Sequence, residues 1–204
     1  MTTDHELHAT LRPMGMDDLA HISTWFWNMD DVAMFDRTTP LPTNKDALHE
    51  SWRAALSHTD PPKALWFVAE TVDGKPLGIG GLQSINYIHG DAVLPMFISA
   101  AARGKGLATA ITCRVMELAF NRLRLHRVTT FYREDNAVTE RVLAKLGFVD
   151  EGRQREGWFV GGTRLDIVQS GILASDWYER REAALAGLGA AGKVRLAFTG
   201  ENSV

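Results

Sequence analysis

The length and composition of the chain are those of one ordinary globular domain. It has 204 residues, of which 45% are hydrophobic and 23% are charged, and its formal net charge is −3. A chain of this length can bury a sizeable core without a cofactor or disulfide, and its composition excludes the disordered and membrane classes. The basic residues are scattered along the sequence, so no nucleic-acid partner is expected.

The cysteine content and the first residues bear on the compartment. Cys113 is the only cysteine, which excludes an intrachain disulfide and favours a reducing compartment. His, Cys and carboxylate residues show no ligand spacing, so no metal is expected. Asp4 and Glu6 interrupt residues 1–10, unlike a signal or transit peptide, and no apolar run is long enough to span a membrane. The sequence therefore predicts a cytoplasmic protein without a membrane partner.

The first half of the chain predicts helices followed by a β-meander. Hydrophobic periodicity predicts an edge strand at 7–13, an amphipathic helix at 16–28 and, after an acidic loop at 30–43, a second helix at 44–57. The period then changes to that of strands, with turn residues between them. The three predicted strands are 65–72, 77–86 and 92–99.

The second half predicts a parallel crossover and a hairpin. A helix at 106–122 precedes a strand at 127–132. Asn136 is placed to cap a helix that ends at Gly147. Strands at 148–159 and 164–173 and a helix at 177–188 follow. We expect one domain over 1–186 and a mobile Gly-rich tail over 187–204, in which 194–198 could add a strand to the partner of a possible homodimer.

The segment between the third meander strand and the long helix is suited to hold an anion. Its two glycines let the backbone approach a ligand closely, and the first amides of the helix lack intrahelical partners. Two basic side chains add charge that suits a ligand with several phosphates. A plain turn into a helix would use the same glycines, so the pattern alone leaves both interpretations open. The candidate residues are Arg103, Gly104, Lys105, Gly106, Leu107, Ala108 and Thr109.

Two motifs in register carry a resemblance to a known family. The spacing from Arg103 to Ala108 fits neither an NTPase loop nor a dinucleotide loop, but it matches the signature Arg/Gln-x-x-Gly-x-Gly/Ala of the GNAT N-acetyltransferases. Asn136-x-x-Thr139, in a helix that ends in Lys-Leu-Gly-Phe, resembles a second motif of that superfamily. Residues 151–177 are similar to the ribosomal-protein N-acetyltransferase-like (RimJ/RimL-like) branch.

The resemblance implies a fold, a co-substrate and a binding site. The fold is α/β, with a mixed, mostly antiparallel sheet, helices on both faces and a cleft where two strands splay apart. Acetyl-CoA is the implied co-substrate, its pyrophosphate lying on the glycine loop and Asn136 belonging to the second motif. Exposed amides near Phe97 and Ile98 are expected to hold the acyl group and the pantetheine arm, and Pro95 fits an interrupted strand there. The implied mechanism is direct attack of an amine on the thioester.

The catalytic residues are less well marked. Thr139 lies where the resembling branch has a serine near the coenzyme sulfur, so its hydroxyl is a candidate proton donor to the leaving thiolate. Relatives carry a glutamate at the positions of Val93 or Trp158, and this chain has none there. Glu156 is the best substitute base, because a regular strand would place it on the same side as Trp158. A surface carboxylate is the alternative interpretation.

Three functions stay open at this point. The chain could acetylate a small amine, acetylate the N-terminus of a protein, or bind acyl-CoA without catalysis. The acids within 30–43 favour a cationic acceptor. Trp25, Phe26 and Trp27 cannot all face one side of a helix, so at least one of them is expected to border the acceptor pocket.

Overall fold

The computed structural model of the protein describes residues 7–35, 44–190 and 194–199, and within these ranges nine strands form one sheet. The strands are β1 (Leu7–Pro13), β2 (Leu65–Thr71), β3 (Pro76–Asn86), β4 (Asp91–Val93), β5 (Met96–Ile98), β6 (Arg127–Arg133), β7 (Val149–Val160), β8 (Thr163–Leu173) and β9 (Val194–Phe198). Their order is β7-β8-β6-β4-β3-β2-β1-β9, and β5 pairs with β3 beside this path. The predicted mixed, mostly antiparallel sheet is confirmed.

Helices cover both faces of this sheet. They are α1 (Leu19–Ile22), α2 (Met29–Phe35), α3 (Lys45–Ala55), α4 (Leu107–Met116), α5 (Ala137–Leu146) and α6 (Ala174–Ala190). Asn136 caps α5 by accepting from the Thr139 amide, and Gly147 ends it at a φ of 94°. Both ends of α5 are as predicted. Within the described part of the chain, no helix is long and apolar enough to cross a membrane.

Two hydrophobic layers, one on each face of the sheet, hold the helices to the strands. The side chains of β2 show how one strand contributes to both layers. Trp66 and Val68 pack in the layer under α1 to α3, whereas Phe67 and Ala69 pack in the layer under α4 to α6. This division follows from the period of two in a strand, whose successive side chains point to opposite faces. The sheet is therefore buried on both faces at its centre, as a strand flanked by helices requires.

The segment between β1 and α3 differs from its prediction. The expected helix at 16–28 is a series of short turns, with 3-10 geometry at Met16–Asp18 and Ser23–Trp27 on either side of α1. Its run of Ser, Thr and aromatic residues has low helix propensity, which accounts for the break. The expected loop at 30–43 begins with α2, because the Asn28 side chain accepts from the amides of Asp30 and Asp31 and caps that helix. Residues 36–43 lie outside the described ranges.

The C-terminal segment also differs. The helix expected at 177–188 is α6, which runs from Ala174 to Ala190. Residues 194–198 form β9, which pairs in parallel with β1 of the same chain, with Ala9 opposite Leu196. The expectation that 7–13 would be an edge strand was therefore wrong, because β9 lies beyond it at the edge of the sheet. That 194–198 adds a strand to a partner stays a prediction. The division into a domain over 1–186 and a tail over 187–204 stays a prediction.

Candidate active site

The sheet opens between β5 and β6, and this opening organises the site. β4 pairs in parallel with β6, and the Leu94 amide continues that pairing by donating to the Thr129 carbonyl at 2.8 Å. Pro95 follows, and β5 then pairs with β3 while β6 continues along β8. The strand expected at 92–99 is thus two strands, β4 and β5, since a proline has no amide to continue a ladder. The predicted cleft between diverging parallel strands is confirmed.

The backbone of β5 offers amides to this cleft. Gly81 donates to the Pro95 carbonyl at 3.2 Å and Ser99 donates to the Leu77 carbonyl at 2.9 Å. Alternation along an antiparallel strand then turns the N–H groups of Met96 and Ile98 away from β3, toward the opening. Ile98 is therefore on the cleft side, as expected, whereas the backbone of Phe97 faces β3. Phe97 contributes its ring, which packs under α2.

The glycine loop lies exposed at the start of α4. Gly104 and Gly106 have φ values of 76° and 84°, a left-handed conformation that favours glycine. Gly106 is the N-cap of α4, so the amides of Leu107 and Ala108 lie at the positive end of the helix. Lys105 lies between the glycines and is exposed. The loop has the geometry of an anion site, which supports the functional interpretation over a plain turn.

Arg103 is engaged differently from the expectation. Its Nη2 donates to Asp31 Oδ1 at 2.7 Å, and its Nε donates to the Ile98 carbonyl at 3.1 Å. Its guanidinium also lies over the Phe97 ring, 5.7 Å from the centroid. The side chain therefore connects the glycine loop to α2 instead of standing free for a phosphate.

Thr139 lies in the first turn of α5, beyond the C-terminal end of β6. It is partly exposed, and its amide donates to the Asn136 side chain at 3.1 Å. Asn136 thus positions the start of α5, and its role toward a coenzyme stays a prediction, as does that of the Thr139 hydroxyl. Leu143, one turn later, is buried in the core. Thr139 therefore has a partly exposed side chain with a hydroxyl group in the first turn of α5, whereas the buried Leu143 side chain has no hydroxyl.

A cavity of about 750 Å³ opens on the other side of the sheet, under α1 to α3. Val93, Leu94 and Pro95 are among its lining residues, so it reaches the point where the strands part. Aromatic side chains dominate its walls, and they include Phe26, Trp27, Trp52, Trp66, Phe131 and Trp158. Phe26 and Trp27 of the Trp25–Trp27 segment line this cavity, and its role as the acceptor pocket stays a prediction. Its size is that of a small-molecule site.

The structure does not place Glu156 in this cavity. Gln154 pairs with Ile167 and Trp158 with Leu165, so three residues of β7 face Asp166 alone and the strand bulges. Glu156 adopts a φ of 53° at this bulge and is exposed, while Gln154 and Trp158 both line the cavity. The regular register on which the choice of Glu156 depended was wrong. Its role as a base stays a prediction that the geometry does not support.

Two arginines hold α2 over the opening. Arg103 binds Asp31 from the glycine loop, and Arg133 at the end of β6 donates to the Ala33 carbonyl at 3.2 Å. Arg133 is buried and also binds Asp135, and this hydrogen bond lowers the pKa of the Asp135 carboxyl. Arg133 was not predicted as a site residue, although a charged residue at the end of a buried strand was a usable signal.

The aromatic residues of α2 and the turns before it pack on Phe97. The Trp25 ring stacks on Phe97 with centroids 5.8 Å apart, and Phe26 and Phe35 lie 5.2 and 5.6 Å from it. Phe26 and Phe35 also line the cavity. One aromatic cluster therefore packs against the Phe97 side chain of β5 and also forms part of the cavity wall.

Cys113 lies in the hydrophobic core, away from the opening of the sheet. Cys113 is fully buried in α4, and this burial raises the pKa of its thiol to about 12. Cys113 is therefore a core residue and not a reactive thiol. Within the described ranges, no group of three or more His, Cys, Asp or Glu side chains has the geometry to hold a metal ion.

A mixed sheet that splays after a parallel pair, followed by an exposed glycine loop at a helix start, defines the GNAT class of acetyltransferases. Residues 8–149 match the family model described as the Acetyltransferase (GNAT) domain, which is well over half of the 204 residues. The chain belongs to the GNAT acetyltransferase family, and it is an acetyltransferase by class. The predicted family is confirmed.

Known relatives lie among N-acetyltransferases. The chain is similar to the spermidine N(1)-acetyltransferase of Vibrio cholerae, with 31% identity over 57% of this chain and 67% of that protein. It is also 30% identical, over 52% of this chain and 57% of the relative, to a Bacillus subtilis protein that is provisionally named a ribosomal N-acetyltransferase. These matches thus span about 57 to 67% of the relatives' own length.

The solved structures cover more of the chain. The crystal structure of the Vibrio cholerae spermidine N-acetyltransferase in complex with CoA and spermine matches with a TM-score of 0.75 and 27% identity. That match covers 83% of this chain and 98% of the other. The likeness therefore extends over nearly the whole fold of that enzyme.

Proposed function

We propose that the protein is an acetyl-CoA-dependent N-acetyltransferase that acetylates a small primary amine. The observation that carries this proposal is the arrangement of one opening in the sheet with two approaches. The exposed glycine loop at the start of α4 lies on one side, and the aromatic cavity reaches Leu94 and Pro95 on the other. A thioester and an amine entering from these two sides would meet at the break between β4 and β5.

The coenzyme side fits a pyrophosphate and a thioester arm. The amides from Leu107 to Thr109 would bind the pyrophosphate, since they lie at the positive end of α4 and the loop before them is exposed. The Ile98 amide faces the opening and would donate to the acyl carbonyl, which gains negative charge during attack. A solved relative is in complex with CoA, which supports the same co-substrate here.

The reaction is an attack of the neutral amine nitrogen on the acyl carbon. The new C–N bond forms as the C–S bond breaks, the amine gives up one proton, and the coenzyme thiolate takes up one. Thr139 would supply the proton to the thiolate and regain it from solvent. The apolar walls of the cavity would lower the pKa of a bound ammonium, so that water would serve as the base.

Direct transfer is supported by the state of the cysteine. Cys113 is the one cysteine of the chain, and it is buried with its pKa raised to about 12. Since the thiolate is the reactive form, this residue would not carry an acyl group at neutral pH. This argues against a cysteine-linked acyl-enzyme and so supports transfer from coenzyme to amine in one complex.

The N-terminus of a protein is the second candidate acceptor. Trp27 and Phe131 line the cavity although they are 69% and 48% exposed, so its mouth carries apolar surface that a longer chain could contact. The similarity to the provisionally named ribosomal N-acetyltransferase favours the same candidate. A possible homodimer stays a prediction.

A panel of acceptors tests the proposal. Acetyl-CoA is mixed with the protein and with small amines, spermidine or short peptides, thiol release is followed, and products are identified by mass spectrometry. We expect release with at least one small amine and a product that is heavier by one acetyl group. Coenzyme A binding without transfer to any acceptor would instead favour a non-catalytic binding module.

A further inference from the structure

The ladder of hydrogen bonds between β4 and β6 ends at Leu94, at the mouth of the opening. The Arg127 amide donates to the Gly90 carbonyl at 3.0 Å, and the Leu94 amide donates to the Thr129 carbonyl at 2.8 Å. A parallel ladder repeats every two residues, so β6 turns the amides of Arg127, Thr129 and Phe131 toward β4. In a regular continuation, the Phe131 amide would therefore donate to the Leu94 carbonyl.

A side chain takes the place of that amide. Thr130 is 7% exposed, and its Oγ1 donates to the Leu94 carbonyl at 2.9 Å. Among the described residues, no backbone hydrogen bond joins the Phe131 amide to Leu94. Leu94 is buried, and a buried carbonyl without a donor would be costly. The Thr130 hydroxyl thus satisfies the last carbonyl of the ladder and leaves the Phe131 N–H facing the opening.

Pro95 does not account for this end of the ladder. The Pro95 carbonyl accepts from the Gly81 amide at 3.2 Å, so the backbone of Pro95 faces β3. Its missing amide therefore interrupts the ladder with β3, whereas the Met96 N–H points toward β6 and would donate to the Phe131 carbonyl if the strands ran on together. The group that occupies the next acceptor of the β4–β6 ladder is the hydroxyl of Thr130.

We propose that Thr130 is a positioning residue for acetyl transfer, whose hydroxyl ends the β4–β6 ladder and so keeps the Phe131 N–H free to donate to a carbonyl oxygen of acetyl-CoA. This inference rests on the proposed function and deepens it. Together with the Ile98 N–H of β5, the Phe131 N–H gives the opening a donor on each of its two strands. Without the hydroxyl, the Phe131 amide is the ladder donor that would satisfy the Leu94 carbonyl, and the opening would close by one hydrogen bond.

Hydrogen exchange of single backbone amides, followed by NMR in isotopically labelled protein, tests the inference without any substitution. The Thr129 amide is the internal reference, because the pairing of Val93 with Thr129 holds it in the ladder. In the free protein, the Phe131 amide should exchange at least about tenfold faster than the Thr129 amide, and it should slow when acetyl-CoA is added without an amine. Exchange of Phe131 as slow as that of Thr129 in the free protein overturns the inference.

Thr130→Val removes the hydroxyl at nearly constant shape, and Thr130→Ser keeps it. Thr112→Val is the matched control, because Thr112 is also buried and its hydroxyl donates to a backbone carbonyl, that of Ala108, at 2.9 Å within α4. In Thr130→Val, exchange of the Phe131 amide in the free protein should slow toward that of Thr129. Its kcat/KM for acetyl-CoA should fall by about tenfold, equivalent to ~1.4 kcal/mol. Thr130→Ser and Thr112→Val should resemble the parent in both measurements, and unfolding temperatures verify that each variant is folded.

The outcomes separate this inference from the proposed function. Exchange of the Phe131 amide in Thr130→Val that matches the parent overturns the inference, and so does slowed exchange with an unchanged kcat/KM. In both cases, acetyl transfer by the parent leaves the acetyltransferase function in place. Transfer by the parent to no acceptor of a wide panel overturns the proposed function and this inference with it.

Discussion

Arg103 donates from Nη2 to Asp31 Oδ1 at 2.7 Å and so connects the glycine loop to α2. α2 carries Val32 and Phe35 of the cavity lining, whereas Arg103 follows the strand that faces the coenzyme side. This ion pair therefore connects the glycine loop to a helix that lines the cavity.

Loss of this pair should weaken acceptor binding more than coenzyme binding. Asp31→Asn removes the charge that fixes Arg103, so we expect the acceptor KM to rise by up to about fivefold, or ~1 kcal/mol, the usual limit for an exposed pair. The control is Glu50→Gln, which breaks the exposed Arg53–Glu50 pair on α3. An acceptor KM that is equal in both variants and the parent would show that the pair does not support the pocket.

Gly106 should be essential for coenzyme binding. Gly106→Glu forces a side chain and a negative charge into the loop, and we expect coenzyme A affinity in calorimetry to fall at least about tenfold, or ~1.4 kcal/mol. Gly74→Glu is the matched control. Gly74 has a similar φ of 80° in the β2–β3 turn and, like Gly106, has room for a Cβ. Equal affinity in the two variants would remove the pyrophosphate from this loop.

Thr139 should act on the chemical step. Thr139→Ala should lower kcat by roughly 10²-fold, the lower end for a general acid, with coenzyme A affinity nearly intact, and Thr139→Ser should retain most activity. Val138→Ala alters the same exposed turn without removing a hydroxyl and should leave kcat unchanged. If Thr139→Ala turns over like the parent, backbone amides and proximity alone carry the reaction.

The contacts of Glu117 with α6 should make the stability of the fold depend on pH in the acid range. Burial raises the pKa of Glu117, but hydrogen bonds from Arg181 and Trp177 outweigh this effect and the net pKa lies below its usual range. A depressed carboxyl pKa stabilises the fold above the unfolded value of about 4.3, and this contribution is lost as pH falls through the folded pKa. The fold should therefore lose the stabilisation from Glu117 at acid pH.

Unfolding temperatures measured between neutral pH and pH of about 3 test this dependence. In Glu117→Gln the decline toward acid should be shallower than in the parent, and stability at neutral pH should be lower by about 1–3 kcal/mol. Glu50→Gln, at an exposed pair, should follow the parent curve. A Glu117→Gln curve parallel to the parent would show that another carboxyl controls acid unfolding.

Much of the fold was predictable because local signals agreed with it. Asn136 and Gly147 marked the two ends of α5 in the sequence, and they cap those two ends in the structure. The turn residues also separated the meander strands correctly. Pro95 marked the interrupted strand in advance. The glycine loop was predictable for the same reason, since Gly104 and Gly106 are needed where φ is positive.

Non-local relationships were not predictable. Arg103 was placed near the coenzyme because its neighbours match a motif, yet its guanidinium binds Asp31, which is 72 positions away in the sequence. Glu156 was chosen from strand alternation, which the bulge between Gln154 and Trp158 cancels. The role of Arg133 was not predicted because its contact with α2 is to a backbone carbonyl, that of Ala33. Each of these depends on tertiary packing that sequence periodicity does not encode.

The measurement that tests the central claim most directly is a matrix of initial rates over acetyl-CoA and amine concentrations. Direct attack in one complex predicts double-reciprocal lines that intersect, because both substrates must occupy the cleft between β5 and β6 together. Parallel lines, the pattern of a covalent acyl-enzyme, would contradict the account.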